Sequence, residues 1–327
     1  MKVFILGGTG FIGTHATQTL LENGHQVSTL VLPPLPPEGL LPEEVEISLG
    51  DFNELGDEEV LDLLSGCQGA VFAGGLDDRV TPKAPAYPFF HKMNVLSSAR
   101  FFRLAAQAGV RRGVLLSSYF AHFDREWPEL QLSKYHPYIR SRVEQEAAVL
   151  AASGNALDVM ILQLPYIFGD MPGRTPLWKP VLDYIHSPLP WIFYPRGGSA
   201  MVGVDQVAKA ILGALEIGTG GARYLIGDEN LTWQEWLRRL MYIQGMEKRI
   251  VTLPNWLVGL GLAGVKGWHQ LRGLEGGLDP VHFLALQTRR TFFNPQPAQQ
   301  ALGFRGGTLE EAFQQTVKGC GYSVKPE

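Results

Sequence analysis

The residues Gly7-Gly-Thr-Gly-Phe-Ile-Gly13 space three glycines in a way that suits one task, holding a dinucleotide pyrophosphate against bare backbone. A turn this tight calls for Gly7. Gly10, without a side chain, lets the main chain approach the phosphates, and Gly13 lets the next helix lie close on the strand. The N-terminus of that helix presents free N–H groups and a partial positive charge. A tight turn in some other α/β fold would use the same glycines. The apolar run Met1–Leu6 before them and the helix-like stretch to Glu22-Asn-Gly24 after them, however, supply the order a phosphate site needs. Other chemistry-bearing residues are sparser. His122 would titrate near neutrality, although a hydrogen-bonded structural role suits it better than a catalytic one. Cys67 and Cys320 have neither metal nor redox spacing and read as reduced thiols; no metal site is expected.

Such glycines work only when a sheet and its helices hold them, and the chain alternates between the two. The strand-like run Gln26–Leu32 precedes a proline-rich loop, Pro33 to Pro42, and a third strand at Val45–Leu49. A helix over about Glu58–Leu64 leads to the strand Gly69–Ala73. A longer helix over Pro88–Ala108 leads to Val114–Ser117, and one over Pro137–Ala152 leads to Asp158–Gln163. This alternation marks a parallel, doubly wound α/β sheet. Beyond Pro165, prolines and aromatics crowd the chain to residue 196. A helix at Asp205–Glu216 and a strand at Arg223–Gly227 resume the first pattern, and helices dominate from Thr232. The expected architecture is a Rossmann domain over 1–166 and 200–228, with a smaller, mostly helical substrate lid over 167–199 and 229–327.

Of 327 residues, 45% are apolar and 18% charged, with a formal net charge of −4, the balance of a soluble globular protein. It gives no electrostatic reason to expect nucleic acid or an acidic membrane as partner. No charged-apolar-small leader is visible, so a cytoplasmic protein is expected. The longest apolar stretch, Trp256–Val265, is half a membrane span at most.

Further motifs keep a recognisable order: Gly50-Asp-Phe52, Met93-Asn-Val95, Gly109 to Ser118, Tyr138-Ile-Arg-Ser-Arg142, Leu164-Pro-Tyr-Ile-Phe-Gly169, Val204-Asp205, Tyr224 to Thr232 and Phe293 to Phe304. With them the chain resembles the extended short-chain dehydrogenase/reductase family of nucleotide-sugar epimerases and dehydratases. Within it, the branch of dihydroflavonol reductases and 3β-hydroxysteroid dehydrogenases looks most similar. That family pairs a tyrosine with a lysine one helical turn later, so both point into one cleft. The resemblance implies that Tyr138 is the acid/base, Ser118 holds the substrate oxygen with Ser117 as the weaker candidate, and Asn94 supports the relay. It also implies cofactor contacts from Thr9, Phe11 and Ile12 in the turn, Ala73 and Gly74 after the fourth strand, and Tyr166 and Ile167 after the sixth. Asp51 and Phe52 would lie beside the adenine, although Asp51 serves equally well as a plain turn residue.

Three departures matter. The lysine position is Arg142, a cation that can lower the Tyr138 pKa but cannot give up its proton. A packing role for Tyr138 and Arg142 is the alternative. The second strand ends in Val31 and Leu32, with neither the acid expected for NAD nor the base expected for NADP, and no Lys or Arg lies between Lys2 and Arg79. NADP is thereby disfavoured and NAD weakly preferred. Gln163 stands where an arginine is common, so one cationic tie is missing.

Substrate contacts are expected from Gly75–Arg79, from Tyr119 to Phe123 including His122, from Tyr166, and from the aromatic run Trp178 to Tyr194, of which at least half is lid core. Arg196, Arg289 and Arg290 are the only lid cations that suit a substrate diphosphate. Trp256, Leu257, Leu260 and Trp268 suggest an apolar substrate or a hydrophobic contact, with lid packing the favoured reading. The leading expectation is an NAD(P)-dependent oxidoreductase or epimerase acting on a hydroxyl or keto carbon of a small molecule. The alternative is a dinucleotide-binding scaffold with degraded catalysis. The resemblance also implies a homodimer through the helices Pro88–Ala108 and Pro137–Ala152.

Overall fold

In the computed structural model, which describes residues 1–325, the alternating first half and one later strand build one parallel sheet of seven strands. These are β1 (Lys2–Leu6), β2 (Gln26–Val31), β3 (Glu46–Leu49), β4 (Gly69–Phe72), β5 (Arg112–Ser118), β6 (Asp158–Leu164) and β10 (Arg223–Leu225). Their spatial order, β10-β6-β5-β4-β1-β2-β3, reverses direction between β1 and β4. That reversal opens a crevice at the carboxyl ends of the strands, where such sheets take ligands. Val3, Phe4, Ile5, Ala70, Val71 and Phe72 are buried on both faces, which is why these strands read as unbroken apolar runs.

One face of the sheet carries α1 (Phe11–Glu22) and α9 (Val204–Ile217), packed through Ala16, Leu20, Val207 and Ile211. The other carries α2 (Asp57–Leu64), α4 (Ser97–Gln107) and α7 (Pro137–Ser153), packed through Val60, Phe101, Phe102 and Val149. Pro137 opens α7 at the position where a missing N–H costs nothing. The expected helix Pro88–Ala108 is in fact three pieces: α3 (Tyr87–Phe90), a π-helical stretch (His91–Leu96) and α4. The wide turn holds Asn94, and such turns recur at functional sites.

The remaining elements are mostly helices, as the sequence suggests for the C-terminal region, with short strands among them. They are α5 (Phe120–Glu126), α6 (Leu132–Tyr135), β7 (Tyr166–Phe168), α8 (Lys179–Ile185), β8 (Trp191–Tyr194), β9 (Gly198–Gly203), β11 (Glu229–Thr232), α10 (Trp233–Ile243), β12 (Arg249–Thr252), α11 (Asn255–Leu271), α12 (Pro280–Gln287), β13 (Arg290–Thr291), α13 (Gln296–Leu302) and α14 (Leu309–Gly319). β11, β9, β13 and β7 make a four-stranded sheet, and β8 pairs with β12. Phe168, Trp236 and Phe313 centre a core of their own there. The lid-packing expectation for Trp256, Leu257, Leu260 and Trp268 is corrected: no residue of α11 is buried, because the helix rests on α12 along one side only.

Candidate active site

The glycine turn between β1 and α1 is built as a cradle. Gly7 sits at φ +95°, and a Cβ there would lie 3.0 Å from the Ala73 carbonyl. A Cβ at Gly13 would lie 2.0 Å from the Gly7 oxygen, so only glycine lets α1 come this close. The Gly10 amide donates to the Gly7 oxygen at 2.9 Å and closes the turn. No side chain caps α1, so its first N–H groups remain available where Gly10, Phe11, Ile12 and Gly13 line a cleft of about 510 Å³. These residues fit a dinucleotide pyrophosphate: bare backbone, open amides and the positive end of a helix.

Ala73, Ser118, Tyr138, Arg142, Tyr166 and Ile167 line the same cleft. Ser118 ends β5, and its hydroxyl accepts the Phe120 amide at 3.3 Å. Ser117 is committed elsewhere, donating to Glu146 at 2.9 Å. Buried Glu146 also accepts from Gln163 at 2.7 Å and pairs with Arg125 and Arg223. The cationic tie missing at Gln163 is thus supplied from two other elements.

Tyr138 is buried in the first turn of α7, edge-on to Phe90. Burial pushes its phenol pKa up; the Arg142 charge and the Ser118 hydroxyl draw it down, while Asp78 opposes them. The Arg142 guanidinium carbon lies 5.1 Å from the Tyr138 ring. Its Nη2 donates to the Leu76 carbonyl at 2.7 Å, and Nη1 donates to Gln145 at 2.8 Å and the Leu116 carbonyl at 3.3 Å. Nε is buried without a protein partner. A Cβ at Gly75 would lie 3.0 Å from Nη1 and 3.2 Å from Asn94 Oδ1, so this glycine makes the seat for the larger cation. Asn94 lies behind it, accepting from the Leu76 amide at 2.8 Å and donating to Ser141 at 3.0 Å. It holds the loop after β4 to α7.

Arg142→Lys is therefore expected to destabilise the fold by about 1–3 kcal/mol, because one ammonium cannot span three separated acceptors. Thermal unfolding checks this. An unchanged melting temperature with faster turnover would instead mark the guanidinium as a handicap.

Several expected contacts lie elsewhere. Phe52 is packed edge-on against Phe101 in the core beneath α4. Asp51 accepts the Asn53 amide at 2.8 Å, as a turn residue does. Among the described residues neither lines the cleft, whereas Gly74 adjoins the cradle, its amide nitrogen 3.1 Å from where a Gly7 Cβ would lie. His122 is half-buried against Phe123, where burial lowers its pKa, in keeping with a structural histidine. Arg289 is spent on Glu129 at 2.8 Å, and Arg196 and Arg290 share a separate shallow depression. The cleft cation among the lid residues is instead Arg174, which the sequence reading passed over. It and Lys179 are the only Lys or Arg between Arg142 and Arg196, a signal present in the sequence.

The rest of the cleft is aromatic. Tyr119 lines it with its hydroxyl bonded to Ser199 at 2.9 Å, and Trp178 is fixed by donating to the Ile167 carbonyl at 2.8 Å. Tyr166, Tyr194, Trp233 and Phe283 complete this wall. At the rim Arg79 pairs with Asp77, and half-buried Asp78 faces the cleft with its carboxyl pKa raised by burial and by Asp77.

A family model described as NAD(P)H-binding matches residues 7–178. The chain is 26% identical to a Synechocystis sp. protein provisionally assigned as a dihydroflavonol 4-reductase, over 96% of this chain and 93% of that one. It is 29% identical to the ceramide reductase of Caulobacter vibrioides, over 82% of this chain and 78% of that one. The crystal structure of gox2253 superposes with a TM-score of 0.75 at 23% identity, covering 97% of this chain and 96% of the other, and so shares the fold.

Proposed function

The chain belongs to the extended short-chain dehydrogenase/reductase family of NAD(P)H-binding proteins, and from that premise we propose that it is a ketoreductase for apolar organic substrates, using NAD in preference to NADP. The observation that carries this reading is the aromatic wall leading to Ser118 and Tyr138, with Arg196, Arg289 and Arg290 all outside the cleft. A nucleotide-sugar diphosphate would draw on several such charges, and among the described lid residues Arg174 alone brings one to the cleft. The names of two relatives, a ceramide reductase and a dihydroflavonol 4-reductase, point the same way. Preference for NAD rests on the end of β2, where Val31, Leu32 and two prolines offer no cation to a 2′-phosphate.

When bound, the reduced nicotinamide supplies the hydride. Ser118 holds the substrate carbonyl oxygen, and Tyr138 gives that oxygen its proton. Arg142 stabilises the phenolate left on Tyr138 by its charge and gives up no proton, so the phenol is recharged from water. Gly7 to Gly13 and the α1 amides would hold the cofactor diphosphate. The aromatic wall excludes water from the reacting carbon.

Oxidation of NADH should be seen with long-chain or polycyclic ketones, and NADPH should be used less well. Turnover of UDP-sugars with no activity on any apolar ketone would overturn the proposal.

A further inference from the structure

α11 turns a face of tryptophan and leucine to solvent. Trp256, Leu260, Trp268 and Leu271 are 67, 63, 59 and 86% exposed. Scattered apolar side chains on a surface need no explanation, but a contiguous patch marks a contact site. At about 100° per residue, Leu260 and Leu271 fall in the middle of one apolar arc, with Leu257 beside them. Trp256 and Trp268 fall at its two edges. The half-buried Val258, Gly259 and Leu262 lie on the other side of the helix, where a Cβ added at Gly259 would lie 3.4 Å from Leu284 of α12.

This distribution suits a bilayer surface better than a second protein. Aliphatic side chains at the centre of the arc would lie deepest, and indoles along both margins would sit at headgroup level, where an amphipathic ring is most stable. The charge around the arc has one sign. No Asp or Glu occurs from Ile250 to Leu274, while Arg272 ends the helix with its guanidinium 5.0 Å from the Trp268 ring. Lys266, on the far side, is held by Asp279 at 2.6 Å, so Arg272 is the cation left for an anionic headgroup. The helix does not cross the membrane: among the described residues none is long and apolar enough.

We propose that α11 lies in the interface of an anionic lipid bilayer, seating the protein on the membrane surface. The site gains from this placement. α12, on which α11 rests, carries Phe283 and Gln287 to the cleft wall, and the Gly277 carbonyl between the two helices accepts the Tyr138 amide at 2.9 Å. A membrane-dissolved ketone would thus meet the cleft beside its own lipid phase, a consequence that rests on the apolar-substrate reading above.

The test is co-sedimentation of the full chain with phosphatidylcholine vesicles containing phosphatidylglycerol, compared with phosphatidylcholine alone. Wild type should pellet with the anionic vesicles and less with the neutral ones. The double variant Trp256→Gln/Trp268→Gln should lose at least about tenfold in partitioning, with an unchanged thermal unfolding curve because its side chains face outward. Tyr242→Gln, exposed on α10, is the matched control and should bind as wild type. The proposal is overturned if wild type stays in the supernatant with both vesicles, or if the double variant pellets as wild type does. It is also overturned if light scattering shows a wild-type dimer that the double variant dissolves, for then a second copy covers the face. Neither cofactor nor turnover enters the measurement, so its failure would leave the ketoreductase reading standing.

Discussion

Replacing Tyr138 by phenylalanine is expected to lower kcat by about 10²- to 10⁴-fold, the usual worth of a positioned proton donor. The ring would stay where it is. It packs edge-on against Phe90, and its backbone amide remains bonded to the Gly277 carbonyl. Melting temperature and cofactor affinity should therefore change little, which separates lost chemistry from lost structure. The wild-type pH profile carries the same signature. Reduction needs the phenol protonated, and burial raises its pKa, so activity should hold through neutral pH and fall only as pH rises past that value. A Tyr138→Phe rate equal to wild type would remove this residue from the mechanism.

Gly13→Ala is expected to weaken dinucleotide binding by about 10- to 100-fold, from overpacking of about 1–3 kcal/mol. The added Cβ would meet the Gly7 oxygen at 2.0 Å and Gly8 Cα at 2.8 Å. Both belong to the main chain and cannot swing aside, so α1 must back away and take its amides from the phosphates. Calorimetric titration with NAD measures the loss. Gly264→Ala, on α11 with nothing within 4 Å, is the control and should leave affinity unchanged. Equal affinities for Gly13→Ala and wild type would mean that the cofactor does not rest on this turn.

The first half of the chain was legible because its signals are local. Apolar runs of central parallel strands, a glycine turn and a proline-capped helix each depend on neighbours in sequence, and the strands fall within a few residues of expectation. Tyr138, Ser118 and Arg142 were legible through motif order. What was hidden depends on distant partners. β7, β11 and β13 are two to four residues long and become strands only by pairing with β9. The π-helical turn at Asn94 has no propensity signature. It is sustained by Ser141 and Gln145 on α7, which bond the Asn94 side chain and carbonyl. Arg289 is of a type that suits a diphosphate, but its ion pair is with Glu129, a partner far away in sequence. Apolarity also misled in α11, since Trp256 and Leu260 read the same whether they face a core or water. The role of Gly75 is visible only beside the Arg142 guanidinium that fills its missing side chain's place.

Crystals grown with NAD address the central claim most directly. Diphosphate density on the amides that open α1, with the nicotinamide end reaching the Ser118–Tyr138 wall of the cleft, is the predicted result. An empty glycine turn in crystals grown at saturating dinucleotide, or a dinucleotide bound elsewhere, would contradict it.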